Sequence, residues 1–194
     1  MSPSFSLGST SVITSARKIR CAYGGIVEFL ALTGQRREEV AQATWDEFDL
    51  EQRLWSLPNR RTKNGKPHIV YLSDEALAVL EQAPKRGNFV FSESGTKPFQ
   101  AFSWAKRELD KRSGVKDWCL HDLRRTCVSG MARLGVAPHV ADKILNHQGG
   151  TISGVAAIYQ RHDFMAERKD ALQRWGGHVL RVLGNRFQLV GMAA

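Results

Sequence analysis

Apolar residues recur at three- and four-residue spacing over most of the chain, which predicts a mainly helical fold. The first helix is expected to end near Thr33 and Gly34, and a second, short helix to begin around Arg36. From Phe99 onward the pattern is helical almost to the end, interrupted at turn-forming positions: Gly114, Gly135, Pro138 and the Gly149–Gly150 pair.

A different pattern occupies the middle of the chain. Three short runs have β-type composition and alternation: Arg53 to Leu57, His68 to Leu72, and Asn88 to Phe91. Asn64–Gly65 provides a turn signal between the first two runs. Ser73 is a good N-cap for a helix that Pro84 ends. We therefore predict an α+β fold, mainly α with a small three-stranded antiparallel β-sheet.

The chain is expected to form one compact domain. Residues 1–20 are rich in Ser, Thr and Gly and are predicted to form an irregular leader, and residues 186–194 a C-terminal tail. The domain between them covers residues 21–185. Its last part, from Met165 through Leu183, has helical composition; this helix can pack on its own core or on a neighbouring protomer.

Composition narrows the class of partner. The 194 residues carry a formal net charge of +9, which suits a polyanion such as nucleic acid better than a neutral metabolite. The three cysteines are widely separated and suggest neither a disulfide framework nor a zinc site, which fits a reducing cytoplasm. The sequence has no membrane-length apolar stretch and no signal-peptide pattern.

The stretch from His121 to Thr126, His-Asp-Leu-Arg-Arg-Thr, is the most informative part of the sequence about a possible ligand site. His121 and Arg124 are three residues apart in a predicted helix and should point the same way, at the margin of its apolar stripe, where a ligand can reach them. A cation beside a titratable imidazole outlines a phosphate site. Taken alone, the pair fits a solvated helix face better, because exposed His-x-x-Arg pairs are common on such helices.

Together with His121–Thr126, four further motifs occur in the same order as in a known family. The set comprises Thr33–Glu39, the hairpin Arg61–Lys66, His121–Thr126, Leu145–His147 and Ile158–Tyr159. In this order they closely resemble the tyrosine recombinases, specifically the phage-integrase branch, over roughly residues 24 to 175. The resemblance implies a catalytic domain that cuts and rejoins DNA through a phosphotyrosine bond, without metal or cofactor.

The resemblance assigns a role to each motif residue. Tyr159 would be the nucleophile that forms the covalent 3′-phosphotyrosine. Arg36 and Arg124 would bind the non-bridging oxygens of the scissile phosphate. His121 would exchange the tyrosine proton, and His147 would donate a hydrogen bond to the phosphate. Tyr23 and Tyr71 are interpreted as packing residues, and His162 and His178 as surface or structural residues.

The hairpin offers two candidates for the acid that protonates the departing 5′-oxygen. Lys63 matches the family position, with Lys66 as the alternative or as a phosphate contact. Glu39 is expected to orient the Arg36 guanidinium, because a carboxylate facing phosphate would be repelled. Further contacts with the DNA backbone are predicted for Arg37, Arg61, Lys66 and Arg125. The acidic run Asp46, Glu47, Asp49 and Glu51 is expected to face water and to hold no metal.

The expected partners are double-stranded DNA with attachment sites and other integrase protomers in a tetrameric synaptic complex, with no membrane partner; without DNA the chain can remain monomeric. Two departures from the family are visible. Asn146 stands where the family commonly has Gly, and the N-terminal core-binding domain is expected to be absent. Two alternative functions therefore remain: an idle DNA-binding remnant of an integrase, and topoisomerase IB-like DNA relaxation.

Overall fold

The computed structural model of the chain describes residues 7–19, 21–147 and 163–191. Its helices in chain order are α1 Leu7–Lys18, α2 Ala22–Thr33, α3 Arg37–Ala41, α4 Asp74–Gln82, α5 Phe102–Ser113, α6 Leu120–Arg133, α7 Pro138–Ile144 and α8 Met165–Gly191. Its strands are β1 Phe48–Asp49, β2 Leu54–Leu57 and β3 His68–Tyr71. The predicted mainly helical α+β architecture is confirmed.

The sheet is three-stranded and antiparallel in the order β1-β2-β3, with Trp55 opposite both Phe48 and Val70. The prediction of a third strand at Asn88 to Phe91 was wrong. That segment makes only an isolated bridge between Phe89 and Thr44. Phe48–Asp49 supplies the third strand instead, because an apolar run pattern alone does not distinguish a strand from a buried loop.

Helix α2 runs through the centre of the core. It packs against α1, α4 and α6, and Phe29 contacts the sheet through Trp55 at a ring-centroid distance of 5.6 Å. As predicted, α2 ends at Gly34, which adopts φ +66 and turns the chain. This left-handed residue suits Gly and lets α3 begin immediately afterwards. The predicted cap of α4 is also present, since Ser73 Oγ accepts from Ala76 N at 3.3 Å.

The N-terminal segment corrects a prediction. Residues 7–18 form helix α1 rather than an irregular leader. Val12, Ile13 and Ala16 are fully buried against α2 and α5. The Ser- and Thr-rich composition concealed this apolar face, which is stabilised by tertiary packing rather than by helix propensity.

Helix α8 packs on its own core. Trp175 is fully buried and its Nε1 donates to the Ala31 carbonyl at 2.8 Å. Leu172, Val179 and Leu183 are buried beside it. The helix continues to Gly191, past the boundary predicted at residue 185. Of the two arrangements considered for this segment, its described side chains therefore adopt the intramolecular one. In the described residues, no helix is both long and apolar enough to cross a membrane.

Candidate active site

The turn between α2 and α3 positions Arg36. Arg36 is the N-cap of α3, and its backbone N donates to Glu39 Oε2 at 3.2 Å. Its side chain donates from Nη1 to Glu39 Oε1 at 3.1 Å. The Glu39 side chain is only 3% exposed, whereas that of Arg36 is 23% exposed. The carboxylate thus fixes both the backbone and the guanidinium of Arg36 from the buried side.

Arg124 lies deeper than the sequence predicted. The residue is only 4% exposed, not at a ligand-accessible margin of α6. Its Nη1 donates to the Gly34 carbonyl and its Nη2 to the Leu145 carbonyl, both at 2.6 Å. Burial, followed by the nearby charge of Arg36, lowers its pKa to about 10. Arg124 therefore connects the turn before Arg36 to the end of α7, and these two bonds use two of the five N–H groups of its guanidinium.

Two buried residues that the sequence analysis missed hold the last turn of α7. Gln35 Nε2 donates to the Ile144 carbonyl at 2.9 Å, and His68 Nε2 lies 3.0 Å from the same oxygen. Burial, with a smaller effect from Arg168, lowers the pKa of His68 to about 4, so the imidazole is neutral. The Thr33–Glu39 motif contains Gln35 but indicated no role for it, and His68 lies outside the motifs, because each acts through a backbone carbonyl distant in sequence.

His147 follows this anchored helix end. Its side chain is 43% exposed, and Nδ1 lies 3.4 Å from Asp142 Oδ1. Partial burial lowers its pKa, and the positive charges of Arg124 and Arg36 act in the same direction. These charges place the three side chains in one electrostatic environment. The Arg36 guanidinium also reaches this region directly, through a 3.4 Å bond from Nη2 to the Asn146 carbonyl.

Lys63 lies on the link between β2 and β3, here called the Lys63 hairpin (residues 58–67). Its backbone N donates to Glu39 Oε1 at 3.5 Å, the same oxygen that pairs with Arg36. Gly65 adopts φ +69, consistent with the predicted turn. Lys63 and Lys66 are both exposed, and only Lys63 is tied to the Arg36–Glu39 pair.

Arg36, Lys63 and His121 line one concavity of about 760 Å³, here called the basic concavity. Its wall also includes Phe102 and Lys106 from the start of α5. The three predicted residues come from the α2–α3 turn, the Lys63 hairpin and the start of α6. Arg124 and His147 do not line this space; they are joined to it through the contacts of Arg36 and the α7 end.

The predicted DNA contacts divide into two groups. Arg61 is tied to the protein, because its Nε and Nη2 bind the Glu47 carboxylate at 2.7 and 3.0 Å. Arg61 also lines the basic concavity, so a DNA contact for it stays a prediction. Arg37 and Arg125 are exposed, and among the described residues their ion pairs are with near neighbours in sequence. The Arg37 guanidinium also lies over the Phe102 ring, 5.0 Å from its centroid. Both side chains can contact a polyanion.

The acidic run before β2 also differs from expectation at one position. Glu47 does not face water: its side chain is 8% exposed and accepts from Trp55 Nε1 at 3.0 Å as well as from Arg61. Searching the described residues finds no group of three or more His, Cys, Asp or Glu side chains that could hold a metal ion.

The structure describes some of the remaining predicted tyrosine and histidine residues and not others. Tyr23 and Tyr71 are buried, as expected of packing residues, and burial raises the pKa of Tyr23. His178 stacks on Trp175 at 5.7 Å between centroids, which fits a structural role. Tyr159 and His162 lie outside the described residues.

Sequence comparison identifies the family. The model of the Phage integrase family matches residues 11–166. The chain is 34% identical over 149 residues to the prophage integrase IntA of Escherichia coli K12, which covers 74% of this chain and 35% of IntA. It is 31% identical over 127 residues to the integrase of Salmonella phage P22, covering 57% of this chain and 32% of that protein. The chain thus spans about a third of the length of these relatives.

Solved structures share the fold. An integrase from mycobacterium phage Brujita superposes with a TM-score of 0.66 at 17% identity, covering 90% of this chain and 57% of that one. The XerA recombinase gives a TM-score of 0.60 at 23% identity, covering 86% and 62%. A lambda integrase dimer bound to a COC′ core site gives 0.57 at 17% identity, covering 81% and 47%. With the family match over most of its length, the chain belongs to the phage integrase family of tyrosine recombinases.

Proposed function

We propose that this chain is the catalytic domain of a site-specific DNA recombinase, which cuts and rejoins duplex DNA through a 3′-phosphotyrosine. One observation carries the proposal: side chains from widely separated parts of the sequence, Arg36, Lys63 and His121, border a single basic concavity. A phosphodiester carries one negative charge, and the Arg and Lys side chains that line this concavity, which outnumber its two carboxylates Glu38 and Glu39, attract it. The DNA-bound lambda integrase of the same fold supports duplex DNA as the partner.

In the proposed reaction, the Tyr159 oxygen attacks the scissile phosphorus. The bond from phosphorus to the 5′-oxygen breaks, so the phosphate stays on tyrosine and a free 5′-hydroxyl leaves. His121 accepts the tyrosine proton, and Lys63 donates a proton to the departing oxygen. Reversal with a different 5′-hydroxyl completes strand transfer.

Arg36 and Arg124 stabilise the charge that develops on the non-bridging oxygens, while His147 donates to the same phosphate. Glu39 is a positioning residue in this scheme, because its carboxylate holds Arg36 by two hydrogen bonds. We further propose that the reaction takes place on attachment-site DNA in the bacterial host cytoplasm, and that strand exchange takes place in a tetramer of integrase protomers.

The test is covalent capture from a pool of duplexes with random sequence around a nick. Cleavage beside the nick releases a short strand that diffuses away, so the covalent complex cannot religate. The chain is incubated with the pool at low ionic strength, because phosphate contacts are strongest there. Adducts are isolated under denaturing conditions and their DNA is sequenced. We expect enriched sequences from the wild type and none from Tyr159→Phe.

Two outcomes would overturn the proposal. DNA retained only under native conditions, with no adduct, indicates a binding remnant. Adducts without sequence enrichment, together with relaxation of supercoiled plasmid, indicate a topoisomerase-like activity.

A further inference from the structure

Asn64 and Asn146 form a reciprocal amide pair between two separate parts of the site. Asn64 Nδ2 donates to Asn146 Oδ1 at 2.7 Å and to the Asn146 carbonyl at 3.1 Å. Asn146 Nδ2 donates back to Asn64 Oδ1 at 3.2 Å. Both residues are half-buried. The pair joins the Lys63 hairpin to the end of α7, across 82 positions of sequence.

Each partner is next to a residue of the proposed chemistry. Asn64 directly follows Lys63, and Asn146 directly precedes His147. Asn64 Oδ1 also accepts from Lys66 N at 3.1 Å, so the same side chain shapes the turn of its own hairpin. On the other side, Lys63 N is held by Glu39 at 3.5 Å. The lysine backbone is therefore fixed from two directions while its side chain stays exposed.

The backbone of Asn146 explains why this residue type suits the position. Asn146 has φ +50, a left-handed conformation that Asn and Gly tolerate better than other residues. Gly would satisfy the backbone requirement equally well, but it has no side chain to bind Asn64. The amide of Asn146 thus adds a contact that the turn itself does not require.

We propose that Asn64 and Asn146 are positioning residues that hold the Lys63 hairpin against the end of α7. Their pairing places the Lys63 ammonium beside the 5′-oxygen of the same phosphate that His147 engages. When the bond from phosphorus to that oxygen breaks, the ammonium proton passes to the oxygen and the lysine becomes neutral. This inference rests on the proposed function, since it assigns Lys63 as the acid.

The test compares two leaving groups on one DNA sequence recovered from the random pool. One nicked duplex has the ordinary 5′-bridging oxygen, and the other has sulfur at that atom. A thiolate is a far weaker base than an alkoxide and leaves without an acid. Asn146→Gly and Asn64→Ala should cleave the oxygen substrate about tenfold to a hundredfold more slowly than wild type at saturating DNA. Both should cleave the sulfur substrate at nearly the wild-type rate.

Two reference variants calibrate this result. Lys63→Ala should show the same pattern, with a larger decrease in the cleavage rate of the oxygen substrate. Asn59→Ala removes an exposed asparagine of the same hairpin, whose side chain, within the described part of the chain, bonds only to the adjacent Arg60 N. This variant should cleave both substrates at the wild-type rate. Equal slowing on oxygen and sulfur would overturn the positioning role, because a damaged phosphate site or fold slows both. Unchanged cleavage of the oxygen substrate would also overturn it.

Hydrogen–deuterium exchange of the free protein separates this inference from the proposed function. Loss of the pair should raise amide exchange in residues 62–66 in Asn146→Gly and leave it unchanged in Asn59→Ala. Unchanged exchange in Asn146→Gly would overturn the pairing, whether or not DNA is cleaved. If exchange rises but the wild-type chain cleaves neither substrate, the proposed function fails and the positioning role falls with it.

Discussion

The two sides of the site differ in how firmly the protein holds them. On the arginine side, Arg124 is 4% exposed and both of its terminal nitrogens bind backbone carbonyls. Arg36 is paired with the buried Glu39. On the proton-transfer side, the Lys63 and His121 side chains are both exposed. Folding alone thus fixes the arginines, whereas the lysine and histidine side chains remain in contact with solvent.

This difference follows from the two kinds of work proposed for the groups. Electrostatic stabilisation is most effective when the donors are already oriented and need no reorganisation during the reaction. A proton carrier must instead meet a particular substrate atom, and its catalytic hydrogen bonds often tighten only when substrate is bound. We therefore expect mutations on the arginine side to reduce both stability and activity, and mutations on the other side to reduce activity alone.

The largest effect is expected for Arg124→Ala. The substitution leaves the Gly34 and Leu145 carbonyls without their guanidinium partner, which costs about 1–3 kcal/mol for each buried group. It also removes a proposed transition-state donor, which lowers the rate about a hundredfold to a thousandfold. Thermal unfolding and single-turnover formation of the covalent adduct measure the two effects.

Arg125→Ala is the matched control, because the neighbouring side chain is 72% exposed and its one ion pair with a described residue is to Asp122. It should leave stability nearly unchanged. Arg124→Lys keeps a positive charge but lacks the planar fork that reaches two carbonyls, so it should restore only part of either loss. A fully stable Arg124→Ala protein would contradict the framework role assigned to this guanidinium.

A second, smaller effect concerns pH. His68 holds the Ile144 carbonyl, and its pKa is about 4 in the folded protein, below the ordinary value of about 6.5. The unfolded chain therefore binds a proton that the folded protein does not. The free energy of unfolding should fall as pH decreases from about 6.5 to about 4, by at most about 1.4 kcal/mol per pH unit from this group.

Urea unfolding across this range tests the effect, with His68→Gln as the comparison. Glutamine can donate to the Ile144 carbonyl without titrating, so the variant should show a shallower decline in stability below about pH 6.5. Above about pH 7 the two proteins should show parallel pH dependence, because His68 is neutral there. An identical slope in both proteins at acidic pH would show that His68 does not anchor α7 as a neutral group.

The sequence predicted those parts of the fold that depend on local interactions. The end of α2 at Gly34 and the cap at Ser73 were both recognisable because each is satisfied within a few residues. The strand at residues 88–91 was wrong, and so was the irregular leader, because burial of those segments depends on elements elsewhere in the chain. Val12 and Phe91 are buried by tertiary packing that composition does not encode.

The candidate site shows the same division. Arg36, Lys63 and His121 were found because their motifs resemble a family, and the structure then brought them to one concavity. Of the supporting residues, Gln35 lies within the Thr33–Glu39 motif but was given no role, and His68 lies outside the motifs. Strand alternation is also misleading at β3, where His68 is buried and Ile69 is 38% exposed. A buried polar residue that bonds to a backbone carbonyl distant in sequence cannot be predicted unless the position of that carbonyl is known.

The smallest effect distinguishes the two lysines of the hairpin. Lys66 is exposed and its side chain is not needed for the bond from its backbone N to Asn64. If it contacts a phosphate, Lys66→Ala should weaken DNA binding and reduce the slope of log affinity against log salt by about 1. Its cleavage rate at saturating DNA should equal the wild-type rate, whereas Lys63→Ala should bind normally and cleave slowly. If Lys66→Ala instead cleaves the oxygen substrate slowly and the sulfur substrate at the wild-type rate, Lys66 is the acid. The proton donor on the exposed side of the site then lies at the C-terminal end of the hairpin turn rather than at its N-terminal end.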